Sequence, residues 1–265
     1  MMSFESFFVI AGPCVIESEA MCREVAGTLK AIKEDLNIPI LFKASFDKAN
    51  RTSVNGFRGP GLNKGLAILE RIKSDFGLPI VTDVHTIEQV APVSEVADML
   101  QTPAFLCRQT DFIHAVAQSN RPINVKKGQF LSPQEMKFVV EKAKQVTDQP
   151  VFACERGTTF GYHNLVVDFR GLVTMRSFAP VIFDATHSVQ QPGGRNGSSG
   201  GQREMVPYLA KAACAVGIDG LFLETHPDPE RALSDGPNMV STEDLPSLLK
   251  ALMAIHAVQK EVEHG

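Results

Sequence analysis

Short apolar runs and longer amphipathic stretches alternate along the whole chain. The runs Phe7–Ala11, Ile40–Ala44, Ile80–Asp83, Met99–Gln101, Ile123–Lys126, Val151–Cys154, Val181–Asp184 and Gly220–Glu224 are rich in β-branched and aromatic residues. They end in polar or Gly/Pro positions, as buried parallel strands do. Helix-length amphipathic stretches follow near residues 18–34, 62–75, 86–96, 109–119, 133–146, 164–175, 204–216 and 243–262. Ser18 ahead of an acidic turn, and Ser132-Pro133, supply helix start signals. Eight strand–helix units of roughly 30 residues each predict a (β/α)8 TIM barrel, folded as a single domain over residues 1–265. An open doubly wound sheet would also alternate. It would carry Gly-x-Gly-x-x-Gly after its first strand, and Gly59, Gly61 and Gly65 have the wrong spacing for that motif.

Composition narrows the function classes. A chain of 265 residues with formal net charge -4 makes non-specific nucleic-acid binding a poor expectation. No apolar run nears the roughly 18 residues of a membrane span, and Phe7–Gly12 is too short for a signal peptide. Five irregularly spaced cysteines fit a reducing cytoplasm. Cys22, Cys154 and Cys214 fall inside predicted elements and read as packing residues; His114, His256 and His264, on helices or the tail, read as solvated.

In a barrel of this kind the strand C-termini and the loops after them face the active site. All eight such positions here carry polar or ionisable groups. Lys43, Lys48, Arg51, Arg58, Arg108, Lys126, Lys127 and Arg156 gather on that rim, a set suited to a ligand with several phosphates or carboxylates. Closure also sets strands seven, eight and one side by side, so Cys14, His187 and Glu224 meet, with Asp235 on the loop after strand eight. One thiolate, one imidazole and two carboxylates suit a divalent Zn, Fe or Mn ion. On pattern alone, Cys14 reads equally as a nucleophile with His187 as its base, or as a small buried hydrophobe. The Gly- and Ser-rich segment Gln191–Gln202 reads as a lid or as an idle excursion.

The runs Lys43–Arg51 (KASFDKANR), Arg58–Leu62, Pro103–Asp111 (PAFLCRQTD), Asn124–Phe130 (NVKKGQF), Arg156–Asp168 (RGTTFGYHNLVVD), Asp184–Gln190 and Glu224–Glu230 resemble, in collinear order, the 3-deoxy-D-manno-octulosonate 8-phosphate synthase family. The resemblance implies a cytoplasmic homotetramer of barrels in lipopolysaccharide biosynthesis. Such an enzyme condenses phosphoenolpyruvate with arabinose 5-phosphate and water and releases inorganic phosphate. It also implies roles. Lys43, Lys48, Lys126 and Arg156 hold phosphoenolpyruvate, with Gln129 and the backbone near Ala104 assisting and Lys126 acting on it catalytically. Asn50, Arg51 and Thr52 hold the sugar phosphate, Thr52 standing where the family usually has Ser. Asp83, His85, Gln101 and Gln190 line the cavity. Cys at position 14, rather than Asn, resembles the metal-dependent branch and implies Cys14, His187, Glu224 and Asp235 as ligands of one divalent ion. Gly236-Pro237-Asn238 is nearer the metal-independent pattern. Three alternatives stand beside this reading: the related heptulosonate-phosphate synthase that uses erythrose 4-phosphate, a non-catalytic phospho-sugar-binding barrel, and Schiff-base chemistry through a lysine.

Overall fold

The computed structural model describes residues 4–51, 53–195 and 198–264. Eight parallel strands run β1 (Phe8–Gly12), β2 (Ile40–Lys43), β3 (Ile80–Asp83), β4 (Met99–Thr102), β5 (Ile123–Lys126), β6 (Val151–Glu155), β7 (Val181–Asp184) and β8 (Gly220–His226). Each pairs with the next, and β1 also pairs with β8 with Gly12 opposite Glu224, so the sheet closes. Helices α1 (Glu19–Leu36), α2 (Leu62–Phe76), α3 (Val90–Val96), α4 (Thr110–Ala117), α5 (Met136–Lys144), α6 (Arg170–Arg176), α7 (Val206–Val216) and α8 (Leu245–His264) follow the strands in turn. The expected (β/α)8 barrel is the fold.

Strand residues two apart share a face, and that period sorts the core from the site. Phe8, Ile10, Leu41, Val81, Met99, Phe152, Cys154, Ile182 and Phe222 fill the barrel interior, closed below by Phe4 against Phe8 and Phe152. Lys43, Asp83, Asp184 and Glu224 each stand two residues after one of these, so the same face turns from apolar to charged at the top. A larger apolar layer, including Val9, Leu29, Phe42, Leu69, Leu100, Phe183 and Leu223, packs the strands against the helices. Cys22 and Cys214 belong to that layer, as expected.

Ser18 caps α1, its hydroxyl accepting from the Met21 amide at 3.1 Å. Ser132 and Glu135 form a reciprocal cap, but a turn intervenes and α5 starts only at Met136. The helix expected over 164–175 is shorter. Thr158–Thr159 and Leu165–Val166 form a small hairpin, turned through Gly161 and His163 at positive φ, and α6 begins at Arg170. Within the segment 191–202, Gln190–Arg195 and Ser198–Gly201 pair antiparallel, with a register shift that Gly193 at φ +68° accommodates.

His256 corrects the expectation of a solvated face. It is buried and stacks on Phe7 with ring centroids 4.5 Å apart. Burial, with Lys260 adding to it, pushes its pKa below the usual histidine range, so the fold favours the neutral ring. The unfolded chain then binds the extra proton, and stability falls as pH drops below about 6.5. The melting temperature of the wild type is expected to fall more between pH 7 and pH 5 than that of His256→Phe; parallel slopes would refute this. His114 is half-buried, and the side chain of His264 lies outside the described residues.

Gly12 shows how tightly the top of β1 is fitted. Its φ is +153°, and a Cβ there would strike the Lys43 carbonyl oxygen. Gly12→Ala is expected to cost about 2 kcal/mol or more in chemical denaturation. A neutral result would show that β2 can move away.

Candidate active site

A cavity of about 420 Å³ opens at the C-terminal end of the strands. Among the residues singled out in the sequence, Lys43, Lys48, Asn50, Arg51, Asp83, His85, Gln101, Ala104, Lys126, Gln129, Arg156, His187, Gln190 and Asp235 line it. Cys14 and Glu224 lie fully buried directly behind its wall. Thr52 lies outside the described residues.

The basic rim is smaller than expected. Lys43, Lys48, Arg51, Lys126 and Arg156 converge on the cavity, and three other cations do not. Lys127 follows Lys126 by one residue and so takes the opposite face. There it is buried 3.4 Å from Glu155 and donates to Thr158 Oγ1 at 2.9 Å, pinning the β6–α6 loop. Arg58 pairs with Asp47 on the surface, and Arg108 is exposed away from the mouth.

Buried carboxylates orient the cations. Lys43 Nζ donates to Glu224 Oε1 and to the Cys14 carbonyl, both at 3.0 Å. Lys126 pairs with Asp184 and lies 3.2 Å from the centroid of the Phe222 ring. Arg156 donates to Gln190 Oε1 at 3.0 Å, and Gln190 Nε2 donates to Asp235 Oδ1 at 3.1 Å, so a chain of bonds runs from cavity wall to loop. Burial works to lower the Lys48 pKa, yet the carboxylates around it, Glu224, Asp83 and Asp235, raise it above the usual range. Asp83 is held well below the usual carboxylate range: burial opposes this, and the hydrogen bond to His85 at 2.8 Å with the charges of His85, Lys43 and Lys48 prevails. The second amine of Arg156, Nη1, and Gln129 Oε1 are buried without a hydrogen-bond partner, free to meet a ligand.

A second cluster sits at the junction of β1, β7 and β8. Donor atoms of Cys14, Glu224 and Asp235 all lie within 4.8 Å of one another. His187 Nδ1 meets Asp184 Oδ2 at 2.7 Å; against a carboxylate that nitrogen carries the hydrogen, which turns Nε2 toward the cluster. Nε2 is 3.8 Å from Glu224 Oε2 and 3.9 Å from Asp235 Oδ2, too far for hydrogen bonds. Glu224 Oε2 is buried and has no hydrogen-bond partner among the described residues. Asp235 adopts a left-handed backbone at φ +51°, which turns its carboxylate inward; burial opposes its ionisation, but His187 and Lys48 hold its pKa at about 2. The thiol of Cys14 and the carboxylates of Glu224 and Asp235, with the His187 imidazole at their edge, make a donor set that a divalent cation fits. Cys14 is wholly buried, and burial, then the Glu224 charge, push its thiol well above the usual range. A buried thiol held protonated is a poor nucleophile, and no hydrogen bond to His187 is found among the described residues.

Two functional neighbours escaped the sequence reading. Asp184 holds both Lys126 and His187, and its place three residues before His187 at a strand end was the available signal. Ser234, with its hydroxyl 2.9 Å from Cys14 Sγ, had no signal beyond adjacency to Asp235.

Fold and site together define a barrel enzyme for anionic substrates. The sequence pattern of the DAHP synthetase I family matches residues 5–261, and the chain belongs to that family. Proteins of Polaromonas naphthalenivorans (strain CJ2) and Variovorax paradoxus (strain S110) are 59% and 58% identical to it over 264 residues, covering 97% of this chain and 93% of theirs. One of Legionella pneumophila (strain Corby) is 59% identical over 255 residues, covering 96% and 93%. Each is named 2-dehydro-3-deoxyphosphooctonate aldolase.

Proposed function

We propose that the protein condenses phosphoenolpyruvate with D-arabinose 5-phosphate and water, giving 3-deoxy-D-manno-octulosonate 8-phosphate and inorganic phosphate. The reading carries over the activity in the relatives' name. Its chief structural support is the convergence of Lys43, Lys48, Arg51, Lys126 and Arg156 on one cavity, a set of donors suited to phosphate and carboxylate groups.

In the reaction, carbon three of the enol phosphate bonds to the aldehyde carbon of the sugar, and the aldehyde oxygen takes a proton. Water adds to carbon two, and the carbon–oxygen bond to phosphate breaks to leave the ketone. Lys43, Lys48 and Arg156 hold the phosphate and carboxylate of phosphoenolpyruvate, helped by Gln129 and the backbone at Ala104. Asn50, Arg51 and Thr52 hold the sugar phosphate. Neutralising two anions that repel in water brings the reacting carbons within attack distance. Lys126, fixed by Asp184, supplies a proton or balances charge on the phosphoenolpyruvate side. Asp83, His85, Gln101 and Gln190 keep the remaining polar wall in place. Cys14, His187, Glu224 and Asp235 would hold one divalent ion such as Zn, Fe or Mn. When bound, that ion supplies Lewis-acid polarisation of the aldehyde or acidification of the attacking water. The enol phosphate already provides the carbon nucleophile, so no Schiff base is needed.

The protein acts in this reading as one barrel domain over residues 1–265, assembled as a homotetramer in the cytoplasm and serving lipopolysaccharide biosynthesis. No helix among the described residues is long and apolar enough to cross a membrane. A heptulosonate-phosphate synthase using erythrose 4-phosphate is the second reading, favoured only by the family's own description. Phosphate release from phosphoenolpyruvate, with each sugar supplied separately and divalent metal present, separates the two. Release with arabinose 5-phosphate alone is expected. Release with erythrose 4-phosphate alone would void the Asn50–Thr52 assignment, and none with either would leave a binding barrel.

A further inference from the structure

We propose that Ser234 is a positioning residue for the sulfur of the candidate metal site. Its hydroxyl donates a hydrogen bond to the Cys14 sulfur and thereby fixes how that sulfur meets a divalent ion. The inference rests on the metal reading above and goes beyond its four ligands.

Ser234 is buried, with Oγ 2.9 Å from Cys14 Sγ and 3.4 Å from Asp235 Oδ2. Cys14 Sγ is itself 3.2 Å from Asp235 Oδ2, so in the metal-free chain the thiol hydrogen has a carboxylate acceptor. Uptake of a divalent ion converts the thiol to a thiolate, and its proton leaves to solvent. The sulfur is then an acceptor only. Ser234 is the one side-chain donor to it among the described residues, and its single hydrogen has the sulfur as the nearer of two acceptors.

The backbone under Ser234 is tied down from three sides. The Leu233 amide donates to Glu17 Oε1 at 2.8 Å, Arg203 Nη2 donates to the Gly236 carbonyl at 2.7 Å, and Asp235 occupies its left-handed conformation. The hydroxyl is therefore presented to the sulfur rather than swinging onto it. Partners of metal ligands that are held in this way set both ligand orientation and donor strength.

The test uses cobalt(II) alone as the probe, added to metal-free wild type, Ser234→Ala and Ser234→Thr. The sulfur-to-cobalt charge-transfer band is followed in the near ultraviolet, and affinity by competition with a chromophoric chelator. The wild type is expected to bind one ion per chain with that band. Ser234→Ala is expected to bind about tenfold more weakly. Its band should move to lower energy, because a sulfur without a hydrogen-bond donor holds its electrons less tightly. Ser234→Thr, which keeps the hydroxyl, should restore both. Wild-type affinity and band position in Ser234→Ala would overturn the proposal and leave the metal reading standing. A lowered melting temperature with an unmoved band would overturn it too, as the mark of a purely structural role. No stoichiometric binding by the wild type would overturn the metal reading and this inference together. Should Ser234→Ala fail to fold, Ser234→Gly must show the same band shift.

Discussion

Chelating the divalent metal proposed for Cys14, His187, Glu224 and Asp235 is expected to lower turnover by about three orders of magnitude, because Lewis-acid stabilisation in a dry site supplies several kcal/mol of barrier reduction. Chelation followed by gel filtration should yield a folded, inactive protein, and adding back Zn, Fe or Mn should restore activity. Fold should survive the treatment, since the barrel interior below the site is apolar and closed by Phe4, Phe8 and Phe152. Two features of the cluster argue for this dependence. Glu224 Oε2 is buried without a partner, and His187 Nε2 faces two carboxylates at 3.8 and 3.9 Å without hydrogen-bonding to either. Leaving such groups uncompensated is costly in a buried site, and one cation satisfies them all. Cys14→Ala or Glu224→Ala should reproduce the loss without rescue by metal. Full activity in a sample verified as metal-free would refute the dependence.

Lys126→Met is expected to reduce kcat/KM by about 10²–10⁴, the range for loss of a positioned proton donor. The variant also strips the fully buried Asp184 of one of its two charged partners, leaving His187 as the other. Burial works against the charge on Asp184, and His187 followed by Lys126 hold its pKa well below the usual carboxylate range. Breaking a buried pair costs about 3–5 kcal/mol, so a lower melting temperature should accompany the kinetic loss. Activity and fold separate by a second readout: His187 keeps its own bond to Asp184, so divalent-metal binding should persist in Lys126→Met. A change confined to KM, with kcat intact, would contradict a role in the chemical step and leave Lys126 as a binding residue.

The barrel was legible because strand and helix periods alternate along the chain, and each strand closes on a polar residue or a glycine. The period of two also carried the site: Lys43 after Leu41, Asp184 after Ile182 and Glu224 after Phe222 fall on the inward face. The same rule applied one residue later would have removed Lys127, which lies on the outward face against Glu155. Arg58 and Arg108 fall outside the cavity wall for a different reason. They sit in long loops, where strand parity gives no direction, and Asp47 captures Arg58 at the surface. Asp184 was visible as a strand end, but its double duty depends on the approach of β5 and β7 at their tops, which no local pattern encodes. Ser234 depends on contact between loops more than 200 residues apart in sequence. His256 was not legible as buried because helix α8 lays it against Phe7, a contact that one-dimensional amphipathicity does not report.

The mass of the product identifies the bond-forming step. A single reaction containing phosphoenolpyruvate, arabinose 5-phosphate, erythrose 4-phosphate and divalent metal should be analysed by mass spectrometry. An eight-carbon octulosonate phosphate is expected as the condensation product, formed in step with inorganic phosphate. A seven-carbon heptulosonate phosphate as the main product, or phosphate release with no new carbon–carbon bond, would contradict it.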